Sequence, residues 1–184
     1  ADLTGIGYFT GLQYLECMWN ELTSIDISNC TELIQLHVDG NQLTQLDVND
    51  CSQLEGLGCR ENRLRQLDVS KCKKLTYLGC SFNQISSLDV TSNTELRTFD
   101  CSGNLLKKID ITNCPQLEDL VCVNNALTFL ELTNCRKLET LVCVDNALTY
   151  LDLSNCSELK ELQCGMNCLS QLDLSRCTKL KMLD

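Results

Sequence analysis

The sequence from residue 117 to residue 137 reads LEDLVCVNNALTFLELTNCRK, and residues 138 to 158 read LETLVCVDNALTYLDLSNCSE. Both follow the pattern LxxLxCxxNxLxxLDLxxCxx, with Glu131 replacing the aspartate in the first. A repeat of this kind predicts a solenoid in which each coil stacks on the next. Steps of 21 residues in both directions give eight complete repeats, which begin without insertion or deletion at Leu12, Leu33, Leu54, Leu75, Leu96, Leu117, Leu138 and Leu159.

Each repeat contains two short segments in which apolar and polar residues alternate, such as Leu15-Glu16-Cys17 and Ile25-Asp26-Ile27. Alternation is typical of β-strands, and no repeat carries a helical apolar stripe of useful length. The sequence therefore predicts a mostly β solenoid with two stacks of short parallel strands, irregular or 3-10 turns, and little or no α-helix. The middle residue of each strand is expected to point outward.

A single domain is expected to span residues 1–184, because the one proline, Pro115, and the few glycines form no linker. Residues 1–11 are interpreted as an N-terminal half-coil, 12–179 as the eight repeats and 180–184 as a truncated ninth repeat. Because solenoids usually end in a polar cap and this sequence stops in mid-coil, we expect a piece of a longer protein or one that pairs end to end.

The charge of the chain argues against two classes of partner. Fifteen basic and twenty-five acidic residues give a formal net charge of -10, which repels phosphate backbones and anionic lipid surfaces. No apolar run approaches the roughly 18 to 20 residues that cross a bilayer. We therefore expect neither nucleic-acid binding nor membrane insertion.

The half-repeats LxxLxCxxNxL and LxxLDLxxCxx resemble the leucine-rich-repeat family, and the 21-residue period with LDL resembles its bacterial class known as IRREKO. The resemblance covers residues 12–184 and departs from the usual pattern where cysteine replaces leucine or asparagine. It implies a right-handed solenoid of the α/β leucine-rich-repeat superhelix class. It also implies a non-catalytic scaffold that binds a protein or glycan, as part of a longer bacterial protein that is extracellular or on the cell surface.

Cysteines occupy two rows along the predicted rod, with Val38 and Asn93 filling the gaps. Since Val38 replaces a cysteine in one row, the positions of that row require a small buried side chain. We therefore expect free thiols packed in the core. A thiol core favours a reducing or anaerobic setting. Disulfides remain a weaker alternative, since in-register neighbours hold their Cβ atoms too far apart for an unstrained bond. The sequence contains no CxxC pair of the kind that indicates a metal site. Cys168 is the only cysteine outside the two rows.

Two polar rows also follow the repeat. The first, the asparagine ladder, is expected to satisfy buried backbone groups. The second is an outward carboxylate row with Ser, Thr or Asn two residues later, which we expect to bond to the carboxylates. Calcium binding and a basic partner remain alternatives for the second row. The asparagine ladder is Asn20, Asn41, Asn62, Asn83, Asn104, Asn125, Asn146 and Asn167, and the carboxylate row is Asp26, Asp47, Asp68, Asp89, Asp110, Glu131, Asp152 and Asp173.

Positions that vary between repeats are candidates for partner binding, because constant positions serve the stack. We define the variable face as the four outward rows that begin at Tyr14, Glu16, Met18 and Trp19. Its aromatic and apolar residues are of the kind that interfaces favour, although they also suit strands. The predicted partner-binding residues are Tyr14, Glu16, Met18, Trp19, His37, Tyr77, Phe82, Asp100, Val121, Val123, Val142 and Val144.

Catalysis finds no support in the sequence. His37 is the only histidine, and no motif pairs it with a nucleophile, so we predict no catalytic residues, no metal and no cofactor. The leading hypothesis is a protein- or glycan-binding scaffold. The alternatives are a structural spacer or end-to-end self-assembling rod, and a cation-binding protein that uses the carboxylate row.

Overall fold

A computed structural model describes residues 2–184 as a stack of short parallel strands. A 3-10 helix, Ile6–Tyr8, precedes nine strands, and the part of the chain described contains no α-helix. The prediction of a mostly β solenoid with little or no α-helix is confirmed. The strands are β1 (Tyr14–Glu16), β2 (Gln35–His37), β3 (Gly56–Gly58), β4 (Tyr77–Gly79), β5 (Thr98–Asp100), β6 (Asp119–Val121), β7 (Thr140–Val142), β8 (Glu161–Gln163) and β9 (Met182–Leu183).

All nine strands form one parallel sheet in chain order, so each strand pairs only with its sequence neighbours. The register follows the repeat: Leu15 pairs with Leu36, and Leu36 pairs with Leu57. The central residue of each of the first eight strands is buried, and in β5 this residue is Phe99 instead of leucine. The first strand therefore begins one residue before the predicted segment Leu15-Glu16-Cys17, and Glu16, which was expected to point outward as the middle residue, is exposed as the last residue of β1. Side chains alternate across a strand, so the two flanking residues of each strand face outward in continuous rows.

The prediction of a second strand stack is wrong, because the second alternating segment of each repeat forms no strand in residues 2–184. In the first repeat, Ile27 is buried and Asp26 is exposed, as the alternation predicts. However, the Ser28 N–H donates to the Asp26 carboxylate at 3.2 Å, and the Cys30 N–H donates to the Ile27 carbonyl at 2.9 Å. These turns use backbone donors that a second sheet would need for the neighbouring coil.

The cysteine rows are packed into the core as free thiols, and no disulfide occurs in residues 2–184. Burial raises the pKa of Cys51, Cys135, Cys143 and Cys156 to about 12. These side chains therefore remain neutral and act as small apolar groups. The thiol of Cys168 is exposed, as its position outside the rows predicts.

Asn93 shows how the cysteine positions serve the stack. Its amide donates to the carbonyl oxygens of Val69 at 3.1 Å and Cys72 at 2.8 Å. In the preceding coil the Cys72 thiol lies 3.6 Å from the equivalent carbonyl of Val48. Both side chains therefore direct a donor toward the preceding turns.

No helix in the described residues is long and apolar enough to cross a membrane.

Candidate binding surface

The variable face owes its geometry to the sheet register. Gln35 pairs with Gly56 and Gly56 with Tyr77, while His37 pairs with Gly58 and Gly58 with Gly79. Residues 21 apart in sequence therefore stand side by side, separated by about 4.8 Å. The face is a continuous array of outward side chains along one side of the rod.

A turn directly after each strand determines the fourth row of the variable face. The residues of this row have a left-handed backbone, with φ of 56° at Trp19 and 54° at Phe82, and Gly40 and Gly103 occupy the same position in other coils. Such a backbone is costly for bulky side chains and costs glycine nothing. Sequence reasoning did not find this turn, although the alternation of aromatic residues with glycines in one row was visible.

The two aromatic residues of this row lie on glycines of the neighbouring coil. A Cβ atom at Gly40 would overlap the Trp19 ring, and one at Gly103 would lie 2.6 Å from Cδ1 of Phe82. The side chains of Trp19 and Phe82 remain 62% and 52% exposed. Each ring is thus supported from below while most of it faces solvent.

The asparagine ladder fixes the turn that carries this row. The Asn62 amide donates to the carbonyl oxygens of Val38 at 3.0 Å, Cys59 at 3.2 Å and Arg60 at 3.1 Å, and its Oδ1 accepts from the Leu43 N–H at 3.0 Å. These bonds join two coils directly beneath the variable face. A fully bonded buried amide of this kind makes the surface above it rigid.

At the end of the rod the ladder is incomplete. Asn20 is exposed, and its amide donates only to the carbonyl oxygens of Cys17 and Met18 within its own coil. Within the described residues, Asn20 therefore does not meet the expectation that every ladder asparagine points into a buried turn.

Glycines at Gly56, Gly58 and Gly79 create room for larger neighbours to lie flat on the sheet. A Cβ atom at Gly58 would lie 2.5 Å from Nδ1 of His37, and one at Gly79 would lie 2.6 Å from the Tyr77 hydroxyl oxygen. The rings of His37 and Tyr77 are 6.1 Å apart, with an angle of 42° between their planes. The structure thus brings together two predicted partner-binding residues from strands that are not adjacent.

Charged residues surround the rings of His37 and Tyr77. Two of them, Asp39 and Arg60, were not among the predicted partner-binding residues. Asp39 is buried, its Oδ1 accepts from the Arg60 N–H at 2.9 Å, and its Oδ2 lies 3.8 Å from Nδ1 of His37. The Arg60 guanidinium lies 6.0 Å from the centre of the Trp19 ring. Burial raises the pKa of Tyr77, and the nearby charges of Asp39 and then Asp100 raise it further.

The predicted valine cluster lies further along the same face. Val121 pairs with Val142, while Val123 and Val144 follow in the next row. All four side chains are half-buried instead of fully exposed, as is Asp100, which pairs with Val121. Tyr14, Glu16, Met18 and Trp19 lie six coils away from Val142, roughly 30 Å by the strand spacing. The predicted residues therefore share one face but do not form one compact site.

The carboxylate row lies on another side of each coil. The Thr112 hydroxyl donates to Asp110 at 2.6 Å, and the Thr112 N–H donates to the same oxygen at 3.1 Å. These two bonds, the hydroxyl first, lower the pKa of Asp110. The row is thus bonded within its own turns. Residues 2–184 contain no group of three or more His, Cys, Asp or Glu side chains that could hold a metal ion.

The chain matches no protein-family model and no curated protein sequence. Among solved structures, it is 37% identical to the functional domain of InlJ from Listeria monocytogenes, which includes a cysteine ladder. That match covers 99% of this chain and 45% of the other, with a TM-score of 0.78. It is 26% identical to a leucine-rich-repeat protein of Leptospira interrogans, with a TM-score of 0.89 and coverage of 96% and 50%.

A third similar structure is internalin C2 of Listeria monocytogenes, which shows the shared fold alone. It is 22% identical over 95% of this chain and 80% of the other, with a TM-score of 0.87. The chain spans about half the length of the InlJ and Leptospira structures.

Proposed function

The chain is a leucine-rich-repeat protein of the bacterial type with 21-residue turns, and we propose that it binds a protein or a glycan through the variable face. In this proposal it is a non-catalytic scaffold and the leucine-rich-repeat module of a longer bacterial surface or exported protein. The similarity to bacterial leucine-rich-repeat structures that are twice its length supports this placement.

The observation that carries the proposal is the pair of exposed aromatic residues at left-handed turns. Gly40 and Gly103 show that the fold accepts glycine at this position. Trp19 and Phe82 are therefore not required for the turn, and their side chains are kept exposed at a position where any residue other than glycine strains the backbone. Strained backbone and exposed aromatic residues both concentrate at binding sites.

The rigidity of the variable face supports the same function. Asparagine side chains bond beneath its turns and glycines support its rings, so the side chains are ordered before a partner arrives. A preorganised surface loses less conformational entropy on binding than a flexible one. The predicted residues from Tyr14 to Val144 then form an extended interface instead of a small-molecule pocket.

The experiment that tests the proposal compares two sets of substitutions on protein and glycan arrays. Tyr14→Ser, Trp19→Ser and Val142→Ser together are expected to remove the wild-type binding signals, because they delete large aromatic and apolar side chains from the variable face without changing its charge. A control makes the same kind of change at exposed residues outside the variable face: Leu105→Ser, Phe129→Ser and Tyr150→Ser. Signals that persist in the first set, or disappear equally in both, would show that the variable face is not the binding surface.

A further inference from the structure

The negative charge of the protein is concentrated on the variable face. Within its four rows over the eight complete repeats there is one basic side chain, Arg60, whereas the whole chain has fifteen basic and twenty-five acidic residues. The 32 positions of this face therefore carry six of the ten net negative charges of the chain. The carboxylates of the face are Glu16, Asp39, Glu61, Asp100, Asp119, Asp145 and Glu161.

Most of these carboxylates have no cationic partner. In residues 2–184 the only ion pair of a lysine or arginine on the face joins Arg60 to Glu61 at 3.0 Å, and Oδ2 of Asp39 lies 3.8 Å from Nδ1 of His37. The other five carboxylates of the face form no ion pair in this part of the chain. The net charge of the face is therefore available to a partner.

The rows outside the face are organised differently. Arg97 pairs with Glu118 at 2.6 Å, and Lys160 pairs with Glu139 at 2.5 Å, in each case between neighbouring coils. A repeat protein can neutralise a row of charged side chains by placing basic and acidic residues in neighbouring coils. This chain does so in the row directly beside the variable face. The absence of the same arrangement on the face, within the described residues, points to a cation supplied from outside.

Two carboxylates are placed at the centre of the face, between its aromatic and its apolar parts. Asp100 pairs with Gly79 on one side and with Val121 on the other, and its Oδ1 accepts the Ser102 N–H at 3.0 Å. Asp119 lies in the adjacent parallel strand, diagonal to Asp100, a relationship that separates residues by about 8 Å. Both are half-buried, so a cation bound there is partly shielded from water.

We infer that the variable face recognises a basic segment of a partner protein, with an arginine or lysine side chain entering beside Tyr77 to pair with Asp100 and Asp119. This inference rests on the proposed function and names the chemistry of its partner. A guanidinium suits the site because it pairs with carboxylates through two parallel hydrogen bonds and stacks on aromatic rings. The Arg60 guanidinium over Trp19 is an example of such stacking on the same face.

The valines complete the recognition surface. Val121 pairs with Asp100, Val142 pairs with Val121 in the next strand, and both valines offer half-buried apolar area. The partner segment is therefore expected to combine basic with aliphatic side chains. A glycan would hydrogen-bond to the carboxylates but leave their charge uncompensated, and an anionic glycan would be repelled.

The test is calorimetric titration of the whole chain with three probes. The first is a synthetic 15-residue peptide in which arginine alternates with valine, the second has glutamate in place of arginine, and the third is a neutral oligosaccharide. We expect the arginine peptide to bind, the glutamate peptide not to bind, and the affinity of the first to fall about tenfold when the salt concentration rises from 50 to 300 mM.

Matched substitutions locate the binding. Asp100→Asn with Asp119→Asn preserves the shape of the face and is expected to weaken arginine-peptide binding about tenfold or more. Glu32→Gln with Glu95→Gln removes the same charge from exposed residues outside the face and is expected to change affinity less than twofold. Equal unfolding temperatures of the two variants show that both are folded.

Two results would overturn the inference. Equal weakening by both pairs of substitutions would mean that the peptide responds only to net charge. Binding of the oligosaccharide but not of the arginine peptide, lost in the variant of Tyr14, Trp19 and Val142, would refute the basic partner while leaving the proposed function intact. The proposed function fails separately, if array signals do not depend on that variant.

Discussion

Removing one asparagine from the middle of the asparagine ladder is expected to destabilise the whole rod. The substitution is Asn62→Ala, at a position where the side chain is buried and all its polar atoms are bonded. Alanine leaves the backbone conformation possible but removes both the amide donors and the carbonyl acceptor. The neighbouring coils then lose a direct connection beneath the variable face.

The size of the effect follows from which groups lose their only partner. The three carbonyl oxygens that accept from Asn62 each keep another donor, from Asn41 at 2.9 Å, Asn83 at 3.0 Å and the Gly40 N–H at 2.9 Å. The Leu43 N–H has only Oδ1 of Asn62 as an acceptor. One unpaired buried donor and the lost amide bonds together cost about 3 to 5 kcal/mol, which lowers the Tm by about 10 °C for a chain of this length.

Thermal unfolding followed by circular dichroism measures this loss. The control is Asn20→Ala at the exposed end of the ladder, where the Cys17 carbonyl keeps a second donor from Asn41 at 3.0 Å and no buried N–H is orphaned. The control is expected to cost less than about 1 kcal/mol. If Asn62→Ala and Asn20→Ala shift the Tm equally, the hydrogen-bond reasoning for the ladder is refuted.

Three other predictions concern the turns and the thiols. Gly40→Ala is expected to displace the Trp19 ring, because a Cβ atom there would overlap it, and to destabilise the protein by about 1 kcal/mol, because φ at this position is 64°. Tryptophan fluorescence reports the displacement of the ring, and an unchanged spectrum would contradict the prediction. A thiol reagent at about pH 8 is expected to modify one cysteine rapidly, the exposed Cys168, and mass spectrometry of Cys168→Ser should show no fast modification. Acid should destabilise the fold, because hydrogen bonds from Thr112 lower the pKa of Asp110 in the folded state. The stabilisation that ionised Asp110 contributes is therefore present above the unfolded pKa of 3.8 and is lost as pH falls through the lower pKa of the folded state. Titration of the Tm below about pH 5 is expected to show a shallower decline in Asp110→Asn than in the wild type, and a steeper one would show the sign to be wrong.

The candidate site was predictable to the extent that it depends on the repeat. Rows such as the one containing Val121 and Val142 follow from counting 21 residues, since parallel in-register strands place equivalent positions side by side. The support of Trp19 by Gly40 was not predicted, because it depends on the left-handed backbone of a turn and on the direction of a side chain. Asp39 was likewise missed, since one aspartate in a variable row carries no periodic signal.

The sequence by itself determined the solenoid, its 21-residue coil, the buried cysteine rows and the membership of each residue in a row. It could do so because a solenoid makes contacts between neighbours at a fixed spacing, so periodicity in sequence becomes adjacency in space. Only the tertiary structure decided that each coil has one strand instead of two. The alternation around Asp26 predicts a strand as well as the alternation around Leu15 does, and the choice depends on where the backbone donors find acceptors: in the neighbouring coil at Leu15, and in their own turn at Asp26.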